Sequence, residues 1–329
     1  MPGRGYDEDD VRVRPARGSR PRSRLRPAHG DAEGGFVTAV DRGRYTVLVD
    51  DRAVTAMRAR ELGRKSVVVG DRVGLVGDMS GADGSLARIV RIEDRRTVLR
   101  RTADDTDPYE RVVVANADQL VIVTALADPP PRSGFVDRCL VAAYVGGLEP
   151  LLCLTKADLA DPDALLADYA ALGLPAVTTR RAEEPAELRA RLADRVSVLI
   201  GHSGDGKSTL VNRLVPEAHR ATGVVSGIGK GRHTSSSVVA LPLPDGGWVI
   251  DTPGVRSFGL AHVQPSDLLR AFPDLAPGAA DCPPACGHLS AEEGCALDAW
   301  VAAVHADPAR LASFRRLLAS RTASGGQDG

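Results

Sequence analysis

The run Gly201-His202-Ser203-Gly204-Asp205-Gly206-Lys207-Ser208-Thr209 fits the pattern G-x-x-x-x-G-K-S/T. An apolar, strand-like segment (RVSVLI) precedes it and an apolar, helix-like segment (TLVNRLV) follows. In that setting the glycines let the main chain curl, so that successive N–H groups face phosphate oxygens. The helix N-terminus adds positive potential. Lys207 is placed to reach the β- and γ-phosphates of a nucleotide, and Ser208 to ligate Mg²⁺. A second motif, Asp251-Thr252-Pro253-Gly254, closes the strand-like segment GWVI. Its acid can hold Mg²⁺ through water, and Gly254 lets its own N–H approach a γ-phosphate. Between the two motifs lies the loop Gly229-Lys230-Gly231-Arg232-His233-Thr234-Ser235. A threonine in such a loop can cap the Mg²⁺, which nominates Thr234.

Base selection points upstream. Thr155-Lys156-Ala157-Asp158 follows the apolar segment PLLCL. Of 42 basic residues only Lys65, Lys156, Lys207 and Lys230 are lysines, so a lysine here marks a position where arginine does not serve. Asp158 can accept from both donors on the Watson–Crick edge of guanine. Adenine presents a bare acceptor there, and a site built on such bonds can reject the wrong base by on the order of 10⁴. The stem of Lys156 can lie along the base. The segment LPAVTT ends at Thr179, which is placed for a second base contact. No lysine follows Lys230, so no base motif can lie downstream. The order is base motif, second base loop, phosphate loop, switch loop and DTPG, a rotation of the usual GTPase order. Val255 follows Gly254 where Ras-like enzymes carry a water-orienting glutamine. Valine cannot hold water, so unaided hydrolysis is expected to be slow. His233 is the nearest candidate for that role.

A third group is Cys282-x₃-Cys286-x-His288-x₆-Cys295, four soft or borderline ligands within 14 residues. Three cysteines and a histidine with no open position suit a closed, structural zinc site. An iron–sulfur centre or free thiols would draw on the same residues. The odd cysteine count and the clustering argue against a disulfide framework. Cys139 and Cys153 lie in apolar segments and read as small core residues.

These residues need elements to position them. From 33 to 103, short alternating runs (GFVTAV, YTVLVD, RAVTAMRA, SVVVGDRVGLVGD and LARIVRIE) predict a small OB-like β-barrel. Such a barrel either binds oligonucleotides on its open face or only packs on its neighbour. From 110 to 268, strands and helices alternate in the manner of an α/β domain with a mainly parallel sheet. Within it SVVALPL and GWVID flank the turn Pro244-Asp245-Gly246, which predicts an antiparallel pair at the sheet edge. Residues 269–329 hold the Cys/His run and a helical stretch broken near Pro308. The fold class is therefore multidomain: an N-terminal OB-like β-barrel, a circularly permuted central α/β P-loop GTPase domain and a C-terminal zinc-knuckle module with helices.

Residues 1–32 form a tail in which positions 11–26 carry seven arginines and no acid. It reads as a nucleic-acid-binding arm or as a solvated tail. The net charge of −1 makes the whole chain no polycation. No apolar stretch approaches the roughly 18 residues of a membrane span, and no signal peptide is apparent. A cytoplasmic protein without membrane contact is expected.

The barrel, the permuted motifs and the Cys₃His run, in this order, resemble the bacterial ribosome small-subunit-dependent GTPase A (RsgA) family over about residues 33–320. TKAD, GHSGDGKST, GRHTSS, DTPG and C-x₃-C-x-H-x₆-C carry the resemblance. It implies a late assembly factor, a monomer, that binds the small ribosomal subunit and its rRNA. GTP hydrolysis to GDP, stimulated by the subunit, then releases it. Thr155 departs from the usual asparagine, and the Arg-rich tail is an addition. A nucleotide-stabilised RNA-binding module without hydrolysis, or a P-loop ATPase or kinase, are the competing readings.

Overall fold

In a computed structural model, residues 29–63, 66–102, 109–216, 238–252, 259–291 and 294–321 are described. The chain divides into Met1–Gly30 and Asp31–Gly329, and every described helix and strand belongs to the second unit.

The alternating runs near the N-terminus form β1 (Glu33–Asp41), β2 (Arg44–Val49), β3 (Arg52–Arg58), β4 (Arg72–Gly77) and β5 (Ala87–Ile92). Their order is β1-β2-β3-β5-β4, and β1 pairs again with β4, from Glu33↔Leu75 to Phe36↔Arg72, which closes the barrel. Alternate residues point inward, so Val37, Val47, Val54, Val73, Leu75 and Ile89 form its core. One segment departs from the sequence pattern. Residues 66–71 look strand-like, yet only Val69 makes a β-bridge, to Val114. The buried carboxylate of Asp71 accepts from the Val68 N–H at 2.8 Å and from Arg95 at 2.7 and 2.8 Å. These bonds fold the apolar run into a turn.

Next come two strands that sequence periodicity did not separate, β6 (Val98–Arg101) and β7 (Arg111–Ala115), which pair with each other. The α/β region then follows: β8 (Gln119–Ala125), α1 (Ser133–Gly146), β9 (Glu149–Thr155), α2 (Asp163–Tyr169), β10 (Ala176–Thr178), α3 (Ala186–Leu192), β11 (Val196–Ile200), α4 (Lys207–Leu214), β12 (Val239–Pro242) and β13 (Trp248–Asp251). The strand order is β10-β9-β8-β11-β13-β12, parallel except for β12. The chain therefore works outward from β8 to β10, returns to β11 on the other side of β8, then goes out to β12 and folds back to β13 between them. The carboxyl ends of β8 and β11 meet at this reversal, where open α/β sheets bind ligands. Both faces are covered. Leu120 and Ile122 pack with α1, while Val121 and Val123 pack with α3 and α4.

The hairpin of β12 and β13 is antiparallel as expected, but it is not a free edge. Val239 pairs with Ala39 of the barrel, so barrel and α/β sheet join in one run of eleven strands. Phe36 packs on Trp248 at this junction, ring centroids 5.2 Å apart.

The C-terminal region holds α5 (Pro265–Leu269), the Cys/His run, α6 (Ala296–Ala302) and α7 (Pro308–Ser320). The helical stretch breaks where the proline requires. Asp307 caps α7, accepting from the Ala309 N–H at 2.8 Å, and Pro308 takes the first helical position. Helix α7 docks on α1: Arg138 donates to the Ser320 carbonyl at 2.6 Å, and Arg316 lies 3.2 Å from Asp137. Among the described residues, no helix is long and apolar enough to cross a membrane.

Candidate nucleotide site and metal centre

The phosphate loop spans the gap between β11 and α4. Gly201 opens it in a tight place, because a Cβ there would sit 2.7 Å from the Val123 carbonyl oxygen of neighbouring β8. Gly206 closes it with φ of +86°, a conformation that favours glycine, and Lys207 starts α4. Asp205 is buried and works as the loop's internal brace. Its carboxylate accepts from the His202 N–H at 2.8 Å and from the Ala125 N–H. Burial raises its pKa, and these two bonds oppose the rise. The His202 ring packs on Phe135, centroids 4.2 Å apart, and burial with nearby Arg132 lowers its pKa. Ser203, Ser208 and Thr209 are exposed at the loop and the first turn of the helix.

The side chain of Lys207 is 7% exposed and reaches across to the DTPG motif. It pairs with the Asp251 carboxylate and donates to the Thr252 carbonyl at 2.5 Å. The Thr252 hydroxyl donates to Leu199 of β11 at 2.7 Å, which holds the two phosphate motifs side by side. Gly254, His233 and Thr234 lie outside the described residues.

The base motif leaves the end of β9. Thr155, buried, donates its hydroxyl to the Asp205 carbonyl at 2.6 Å. A single bond thus joins the base motif to the phosphate loop, a task for which the threonine side chain is long enough. Lys156 adopts φ of +58° and its ammonium donates to the Asp128 carbonyl in the loop that follows β8. Asp158 stands exposed and accepts from the Arg181 N–H at 3.3 Å. The Thr179 carbonyl accepts from the Ala157 N–H at 3.1 Å, so the second base loop is pinned to the first. Thr155, Lys156, Asp158, Thr179, Gly204, Gly206 and Thr209 line one cleft of about 390 Å³. Asp128, Leu159, Arg180, Arg181 and Arg213 also line it, and sequence reasoning missed them. Asp128 lies in the loop beyond β8, and it contributes a main-chain carbonyl, which residue type does not reveal.

At the C-terminus the ligand atoms of Cys282, Cys286, His288 and Cys295 all lie within 4.8 Å of one another. Cys282 Sγ is 3.5 Å from His288 Nδ1 and 4.0 Å from Cys295 Sγ, and Cys295 Sγ is 3.7 Å from His288 Nδ1. The Ala296 N–H donates to Cys282 Sγ at 3.3 Å and the His288 N–H to Cys286 Sγ at 3.4 Å. Burial, opposed by a main-chain bond but aided by the neighbouring sulfurs, raises the Cys295 thiol to about 11. A bound cation offsets that cost, so the cluster could hold a metal ion. Arg315 of α7 donates to the His288 carbonyl at 3.1 Å and forms two bonds to Asp298 at 2.8 and 2.5 Å.

A family model described as RsgA GTPase matches residues 92–261. The small ribosomal subunit biogenesis GTPase RsgA of Chlorobaculum parvum is 37% identical over 303 residues, covering 87% of this chain and 97% of that protein. The protein of that name from Paraburkholderia xenovorans is 38% identical over 280 residues, covering 80% of this chain and 85% of its own length. The chain belongs to the RsgA GTPase family. The crystal structure of YjeQ from Thermotoga maritima superposes with a TM-score of 0.62 at 24% identity, covering 88% of this chain and 99% of that one. YloQ, described as a circularly permuted GTPase, gives 0.62 at 23%, covering 90% and 98%. Family and fold thus agree with the rotated order of the motifs.

Proposed function

We propose that this chain is a GTP hydrolase that binds the small ribosomal subunit and acts in its late maturation, with hydrolysis to GDP and phosphate stimulated by the subunit. The observation that carries the proposal is the bond from the Thr155 hydroxyl to the Asp205 carbonyl. It unites the guanine-reading motif with the phosphate loop in one cleft although the motifs run in rotated order. The names borne by the relatives supply the subunit as partner.

In this scheme Asp158 reads the base, with Lys156 and Thr179 flanking it and Thr155 fixing the motif. Residues 201–209 cradle the phosphates, with Lys207 opposite the β- and γ-phosphates. Ser208 and Thr234 ligate Mg²⁺, Asp251 holds it through water, and Gly254 meets the γ-phosphate. His233 positions the hydrolytic water in place of a glutamine. Cys282, Cys286, His288 and Cys295 hold one structural Zn²⁺. Their sulfur spacing supports this, because Zn–S bonds of about 2.3 Å place tetrahedral sulfurs about 3.8 Å apart. We assign 33–103 to an OB-fold domain, 110–268 to the circularly permuted GTPase domain and 269–329 to a zinc-binding and helical domain, with 1–32 as an Arg-rich tail. The protein works as a cytoplasmic monomer.

The test is GTP hydrolysis by purified protein with and without small subunits. Slow turnover that subunits accelerate severalfold or more is expected. Turnover indifferent to subunits defeats the partner, and no turnover in either condition defeats the enzyme.

A further inference from the structure

The loop that walls the base end of the cleft is held from the side of the phosphate helix. Arg213 lies near the end of α4, the helix that starts at the phosphate loop. One guanidinium nitrogen donates to the Arg180 carbonyl at 3.0 Å and to the Glu183 carbonyl at 2.9 Å. Another donates to the Arg181 carbonyl. Three main-chain carbonyls of one loop therefore converge on a single side chain. The main chain of Arg213 is anchored in turn, since Arg189 of α3 donates to the carbonyls of Arg213 at 3.0 Å and Leu214 at 3.2 Å. The braced loop is the one whose Arg181 N–H meets Asp158. Arg180, Arg181 and Arg213 line the cleft with Asp158.

We propose that Arg213 is a positioning residue for guanine selectivity: by holding the carbonyls of Arg180, Arg181 and Glu183 it fixes the peptide planes of this loop, which keeps the Arg181 N–H on Asp158 and aims the Ala182 N–H at the six-position oxygen of the base. The proposal rests on the guanine-nucleotide reading of the cleft and extends it. The carboxylate of Asp158 answers the N1–H and the 2-amino group of guanine, but it cannot answer the C6 oxygen, which needs a donor. A peptide plane is rigid, so fixing its carbonyl fixes the direction of its N–H. Three carbonyls held at once leave the loop no freedom to turn its amides away. A guanidinium suits this task, because it is planar, permanently charged and presents five donors in a fixed fork. Lysine offers three donors from one atom and cannot span the same carbonyls.

The experiment measures dissociation constants of the full chain for GDP, IDP and 6-thio-GDP. IDP keeps the C6 oxygen and lacks the 2-amino group. 6-thio-GDP keeps the 2-amino group and replaces the oxygen with a poor acceptor. Arg213→Ala is expected to weaken GDP and IDP by the same factor, about tenfold for one lost hydrogen bond at a buried edge. It should leave 6-thio-GDP near its wild-type value. The preference for GDP over 6-thio-GDP then collapses while the preference for GDP over IDP stands, and Arg213→Lys recovers part of the first. Loss of all three nucleotides by one factor, or an unchanged GDP to 6-thio-GDP ratio, overturns the proposal. Should the alanine variant fail to fold, Arg213→Gln keeps part of the stem and two donors, and the same ratio decides. A wild-type protein that binds IDP as well as GDP instead overturns the guanine reading itself.

Discussion

The nucleotide cleft and the cysteine knuckle gather their residues by opposite routes. The knuckle draws its candidate ligands from one short stretch, and turns at Ala285, His288 and Gly294, all with positive φ, bring them together. The cleft draws on the segments that follow β8, β9, β10 and β11 and exists only because the sheet orders those strands side by side. Its residues are placed by a large apolar core on both faces of the sheet. Cys295 and Leu297 of the knuckle belong to that same core, with Cys282 and Cys286 packed against it, and its four ligand atoms could in addition hold a metal ion. Coordination of a metal would add to burial in the knuckle and not in the cleft, so perturbations of the two should separate.

Metal removal should give the largest effect. Chelation, or Cys295→Ser, is expected to destabilise the segment around 282–302 by several kcal/mol, because coordination energy is folding energy in such modules. Hydrogen exchange would locate the loss, and the preference for GDP over other nucleotides should survive. Collapse of nucleotide selectivity on chelation would break the comparison. Lys207→Ala comes next. It removes the buried ammonium and leaves Asp251 without its partner. A loss of GTP and GDP affinity of about a hundredfold is expected, since charge-assisted bonds are worth up to about 3 kcal/mol. Metal content by elemental analysis should stay at one equivalent, and a fall would show that the knuckle leans on the cleft. Thr155→Val should cost least, about tenfold in GDP affinity for the lost bond to Asp205. Thr155→Ser should restore most of it. A valine variant equal to the wild type would show that the two motifs are held together without that bond.

The same contrast explains what could be read from the chain. TKAD, the phosphate loop and the Cys/His run were legible because residue type and close spacing carry their chemistry. The barrel was legible from alternation alone, except at 66–71, where the buried Asp71 carboxylate turns the chain despite its apolar run. The pairing of Val239 with Ala39 was hidden, since both strands look like ordinary edges and the packing of Phe36 on Trp248 beside it is not signalled by either motif. The hydrogen bond of Thr155 was not legible, because its partner is a main-chain carbonyl fifty positions away. Arg213 was silent for the same reason: its three acceptors are main-chain atoms, and no residue type announces them.

The central claim is that Asp158 and Lys207 face the two ends of one guanine nucleotide. Competition between GDP and XDP for Asp158→Asn tests it most directly. An amide at 158 can donate to the C2 oxygen of xanthine, where the carboxylate answered the amino group of guanine. Wild-type protein that favours GDP and a variant that favours XDP is the expected result. A variant that binds GDP as the wild type does would contradict the claim.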